Sequence, residues 1–61
     1  MSLKQLQRLD KIYLRIQQFS LPQWLVIDPA AFAILDEHER NQYLDTTEKT
    51  VQEAIKRMSS N

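Results

Sequence analysis

Apolar residues recur along the first third of the chain at the spacing of a helix. Leu6, Leu9, Ile12, Tyr13, Ile16 and Phe19 gather on one broad face when successive residues are turned by 100°. Lys4, Arg8, Lys11 and Arg15 step by four, three and four positions, a cationic rail opposite that face. Ser2 is a natural N-cap, and Gln5 stands where it completes a capping box. The pattern predicts a helix over about residues 3–19. Its a/d seam lasts two heptads, short of the three or four that argue a coiled coil.

The pattern changes at Ser20. Pro22 and Pro29 bracket Gln-Trp-Leu-Val-Ile-Asp, the most apolar stretch of the chain. Each proline pushes the residue before it, Leu21 or Asp28, out of the α region. Residues 20–28 are thus expected to form an apolar linker holding either a one-turn helix or a short strand. Val26 and Ile27 favour the strand. With no second strand candidate in the chain, such a strand would have to pair with another molecule.

Asp28 followed by Pro29 is a good helix start, an acidic cap and then a proline where its missing N–H does no harm. Phe32 and Leu35 supply one turn of apolar face before the polar run Asp36-Glu37-His38-Glu39-Arg40, and Tyr43 and Leu44 resume it. One helix over 29–44 and two pieces re-capped at Asp36, with Glu39 three residues on, both fit. Asp45 with Glu48 repeats that signal and predicts a last helix over 46–58, where Val51, Ala54, Ile55 and Met58 follow the i, i+3, i+4, i+7 spacing. The expectation is an all-α, three-helix single domain over residues 1–61. Its first helix should run antiparallel to the rest, with the cationic rail outward.

Composition narrows the chemistry. The 61 residues include no glycine and no cysteine. Without glycine there is no phosphate-cradling loop, dinucleotide-binding turn or nucleophile elbow. Without cysteine there is neither a disulfide nor a thiolate metal site. A core this small supplies only about 3–5 kcal/mol alone. His38 sits among Asp36, Glu37 and Glu39, but positions three or four away hold Ile34, Leu35, Asn41 and Gln42, so no carboxylate converges on it. No cofactor or metal is expected, and no enzymatic activity. No apolar run approaches the roughly 20 residues of a membrane span, and the start of the chain has no signal-peptide core, which together read as cytoplasmic.

The formal charge is zero but unevenly spread, with the cations of the first segment facing an acidic remainder. The rail Lys4, Arg8, Lys11 and Arg15 suits an acidic protein surface, a phosphate backbone or a membrane surface, besides plain solvent. Trp24 has two readings, a plug for the core or an exposed anchor for a partner, tryptophan being enriched at binding hot spots. Leu3, Leu14, Trp24 to Ile27, Phe32, Tyr43 and Met58 offer more apolar surface than a three-helix monomer of this size easily covers. The reading favoured here is a small non-enzymatic regulator or inhibitor acting by protein–protein binding. Trp24, Leu25, Tyr13 and Phe32 are its candidate contacts, and a homodimer, or an obligate complex with a partner, is expected to form through the first helix and the Trp24 segment.

From Trp24 to Met58 the order of elements also resembles the ribbon-helix-helix transcription repressors. These have a short strand, a helix opening at a proline, a turn, and a second helix, here reading Thr-Thr-Glu-Lys-Thr-Val-Gln-Glu-Ala-Ile. The resemblance spans a little over half the chain and implies a homodimeric DNA-binding repressor. Strands of that family alternate polar or basic residues where Trp24-Leu25-Val26-Ile27 is wholly apolar. The usual glycine between its helices is missing, and the leading helix has no counterpart in its minimal fold.

Overall fold

The computed structural model describes residues 2–59. It contains three α-helices: α1, Leu3–Gln18; α2, Pro29–Ile34; and α3, Glu37–Ser59. A one-turn 3-10 helix, Gln23–Leu25, lies between α1 and α2. The linker thus takes the one-turn form. Val26 is extended, yet no strand occurs among the described residues. The ribbon that a ribbon-helix-helix organisation requires is absent from them.

The capping box of α1 forms as expected, the Ser2 hydroxyl accepting from the Gln5 N–H while the Gln5 side chain accepts from the Ser2 N–H. The far end is less ordinary. Ser20 adopts φ 54°, a left-handed position usually given to glycine. The Leu21 N–H reaches back to the Ile16 carbonyl at 2.9 Å and the Ser20 N–H to that of Gln17 at 3.3 Å. This is a Schellman stop, with Leu21 packed beside the core that Ile16 helps to form.

The two acidic capping signals part company. At Asp36 the expected box is real: its carboxylate accepts from the Glu39 N–H at 2.8 Å and its own N–H donates to Glu39 Oε1 at 3.1 Å. The bond from the Glu39 N–H is the main cause that holds the Asp36 carboxyl below the usual carboxylate range. At Asp45 the expectation fails, because α3 runs unbroken from Glu37 to Ser59. The division of helices at 44–46 is therefore replaced by one at Leu35–Asp36.

A second correction concerns direction. Gln5 Nε2 donates to Asn41 at 3.0 Å and Arg40 Nε to Gln5 at 3.0 Å, while Arg8 reaches Asp45 and Glu48 at 2.7 Å each. Further along, Ile12 and Arg15 border one groove with Val51 and Gln52. Residue numbers rise together on both helices, so α1 and α3 are parallel, not antiparallel. The chain between Gln18 and Glu37 is long enough to return along the whole length of α1, whereas a short loop would have forced antiparallel neighbours.

Leu9, Ile12 and Ile16 of α1, Val26, Phe32 of α2, and Leu44 and Val51 of α3 form the core. Gln5 is buried as well, and each of its amide groups has a partner across the helix pair. Arg40, besides reaching Gln5, donates to the Leu35 carbonyl at the end of α2. One polar hub, centred on the buried Gln5, thus ties the starts of α1 and α3 to the end of α2. Such groups pin register in packed helices.

Candidate functional site

The parallel pair α1–α3 has two flanks, and the linker covers only one. There the two tyrosines grip both backbone polar groups of one residue, Ile27. The Tyr13 hydroxyl donates to the Ile27 carbonyl at 2.5 Å, and the Ile27 N–H donates to the Tyr43 hydroxyl at 2.7 Å. Burial is the main reason that the Tyr13 hydroxyl is held above the ordinary tyrosine range, and the Asp28 charge adds to it. Phe32 packs its ring edge-on to Tyr43, centroids 6.0 Å apart.

This clamp decides which apolar residues of the linker turn in. Val26 is buried, and Leu21, Leu25 and Ile27 are half-buried against the core. Trp24 is 80% exposed. Its one-turn helix is closed by the Leu25 N–H on the Pro22 carbonyl, 3.2 Å, and the Val26 N–H on that of Gln23, 3.3 Å. Upstream the chain is stopped by the Schellman turn, downstream it is held by the tyrosines. Trp24 therefore stands on a rigid mount. Beside it lies a concavity of about 630 Å³ lined by Tyr13, Ile16, Leu21, Gln23 and Val26 among others.

The structure redistributes the candidate residues. Trp24 is not a core plug, since it faces solvent. Leu25 is half-buried below it, and Tyr13 is half-buried with its hydroxyl committed to Ile27. Phe32, a candidate contact, is 0% exposed and so cannot meet a partner without unfolding α2. Ile34, 84% exposed, was not among the candidates. The signal was present: in a helix it lies 200° around from Phe32, on the outer side. His38 is exposed, and no group of three metal-ligating side chains occurs among the described residues.

On the other flank the rail is not uniformly outward. Arg8 bridges to Asp45 and Glu48, and those hydrogen bonds, Glu48 first, raise its already high pKa further. Lys4, Lys11 and Arg15 are exposed. Leu3, Leu14 and Met58 remain largely in solvent.

Fold and site together define a small all-α protein that presents an exposed indole on a turn whose backbone is held at both ends. No helix among the described residues is long and apolar enough to cross a membrane. In comparison with known proteins, no family model, curated protein or solved structure matches the chain.

Proposed function

We propose that the protein works by binding, as a non-enzymatic cytoplasmic regulator or inhibitor that inserts Trp24 into an apolar pocket of a larger protein. The observation that supports this reading is the exposure of Trp24 on a mount held at both ends. A side chain whose backbone is already ordered loses less entropy on docking, and a large aromatic desolvated in a pocket is the usual binding hot spot. Leu25 completes the base of the anchor.

The test is capture from extracts of the source cell with the wild-type chain and with Trp24→Ala. A defined protein held by the wild type and released by the substitution is the expected result, with a loss of more than about 2 kcal/mol of affinity for the purified pair. Trp24 fluorescence should shift to the blue on binding. Circular dichroism should be unchanged in the variant, because an exposed side chain contributes within about 0.5 kcal/mol to the fold. Recovery of nucleic acid, indifferent to Trp24→Ala and lost on replacing Lys11 and Arg15, would replace this reading with a DNA-binding one.

A further inference from the structure

The flank of the α1–α3 pair that the linker leaves open has its own charge order. Its groove, about 300 Å³, is bordered by Arg8, Lys11 and Arg15 on α1 and by Glu48 and Gln52 on α3, over Ile12 and Val51. Because the helices are parallel, charges can be read along it from one end to the other. Towards the helix starts stand three carboxylates: Asp45 and Glu48, both bridged by Arg8, and Glu37, which lies about three turns before Glu48 on the same stripe of α3. Lys4 lies one turn before Arg8 on the rail of α1. Beyond them, Lys11 and Arg15 make no ion pair among the described residues. Counting Lys4 and Arg8, the first end carries a net charge of −1 and the second +2, some 10 Å apart by the helical rise.

That order restricts what fits. An apolar partner would gain little, because Ile12 and Val51 are only 2% and 1% exposed. A phosphate backbone laid along the groove would run from Lys11 and Arg15 onto Asp45, Glu48 and Glu37. The fitting surface is one with the same two charges in reverse order, and the chain itself provides it. We infer that this face pairs with a second copy of itself, the two grooves antiparallel across a two-fold axis. Lys11 and Arg15 of each copy then lie over the acidic end of the other.

An isologous pairing satisfies both ends at once, since each contact occurs twice. A parallel pairing would set cation on cation. The formal charge of zero removes any general repulsion between copies. As the interface is polar and exposed, the dimer is weak and is strengthened at low ionic strength. It leaves Trp24 free, because Tyr13 and the linker lie on the other side of α1, and so it goes beyond the binding role proposed above without depending on it.

Sedimentation equilibrium of the full chain tests this. The wild type should associate at low salt and weaken by about tenfold or more in about 0.5 M salt. Lys11→Glu with Arg15→Glu, and separately Glu37→Lys with Asp45→Lys, should each abolish association while circular dichroism shows the fold retained. An equal mixture of the two double variants should associate again, because their faces are now complementary. If either reversal disturbs the fold, Lys11→Gln with Arg15→Gln should still weaken the wild-type dimer. A monomer at low salt up to about millimolar concentration would overturn the proposal. So would a dimer that ignores these substitutions, a mixture that stays monomeric, or a dimer lost on Trp24→Ala.

Discussion

The two flanks of the α1–α3 pair are built by different physics. On the covered flank, Phe32, Val26 and the Tyr13–Ile27–Tyr43 clamp exclude water and leave one geometry. On the open flank, Arg8 holds Asp45 and Glu48 in solvent, the three side chains being 35%, 74% and 43% exposed. Apolar burial contributes about 25 cal/mol per Å² whatever the salt, whereas an exposed ion pair contributes little and fades with it. The contrast teaches that the covered flank holds the fold and fixes the anchor, while the open flank tunes how the molecule meets others.

Phe32→Ala is the severest test of that division. Truncating a fully enclosed phenylalanine costs about 3–5 kcal/mol, comparable with all the stability a chain of this size commands. The variant should have lost its cooperative urea transition, and retention of the wild-type midpoint would erase the distinction between the flanks.

Tyr43→Phe comes next. It strips the acceptor from the Ile27 N–H and should cost about 1–2 kcal/mol in chemical denaturation. Tyr13→Phe removes a donor and leaves only a carbonyl to be rehydrated, so a smaller loss of about 1 kcal/mol is expected. The clamp also carries a pH signature. Because the folded state holds the Tyr13 proton more tightly than the unfolded chain does, its contribution is complete below about pH 10 and is lost as pH rises through the elevated folded value. Alkaline melting of the wild type should show this decline and Tyr13→Phe should lack that part of it.

Ser20→Gly acts on the same connection in the opposite sense. A serine at φ 54° carries left-handed strain of roughly 1–2 kcal/mol, offset in part by the greater freedom of glycine in the unfolded chain. A net gain of about 0.5–1 kcal/mol is expected, read as a raised melting temperature.

Arg8→Ala is the mildest. Solvent screening limits the loss to about 0–1 kcal/mol at low salt, and it should vanish near 1 M salt. If Arg8→Ala proved costlier than Tyr43→Phe, the open flank would be structural after all.

Much of this was legible beforehand. The apolar repeat and the Ser2–Gln5 box locate α1, and Asp28-Pro29 marks the start of α2, because these signals act within a turn or two of backbone. Harder to read was the linker. Four consecutive apolar residues, Trp24 to Ile27, carry no local label for inside or outside. The tyrosines that choose Val26 for the core and Trp24 for solvent come from α1 and α3, far away in sequence.

The clearest division lies between two copies of one signal. Asp36 with Glu39 and Asp45 with Glu48 share the same spacing, and by sequence alone each is a helix start. Three residues apart is also the spacing at which two side chains on an unbroken helix point the same way. Asp36 caps, because the returning chain must turn there to bring α3 alongside α1. Asp45 and Glu48 grip Arg8 instead, because Leu44, Thr47 and Val51 form one buried stripe along α1 that a break at Asp45 would cut. The sequence by itself determined that the protein is helical, where its first helix begins and where its second begins. The tertiary structure decided which acids cap and which pair, and that α1 and α3 run parallel. Both choices depend on what lies across the groove, and no local pattern of residues records that.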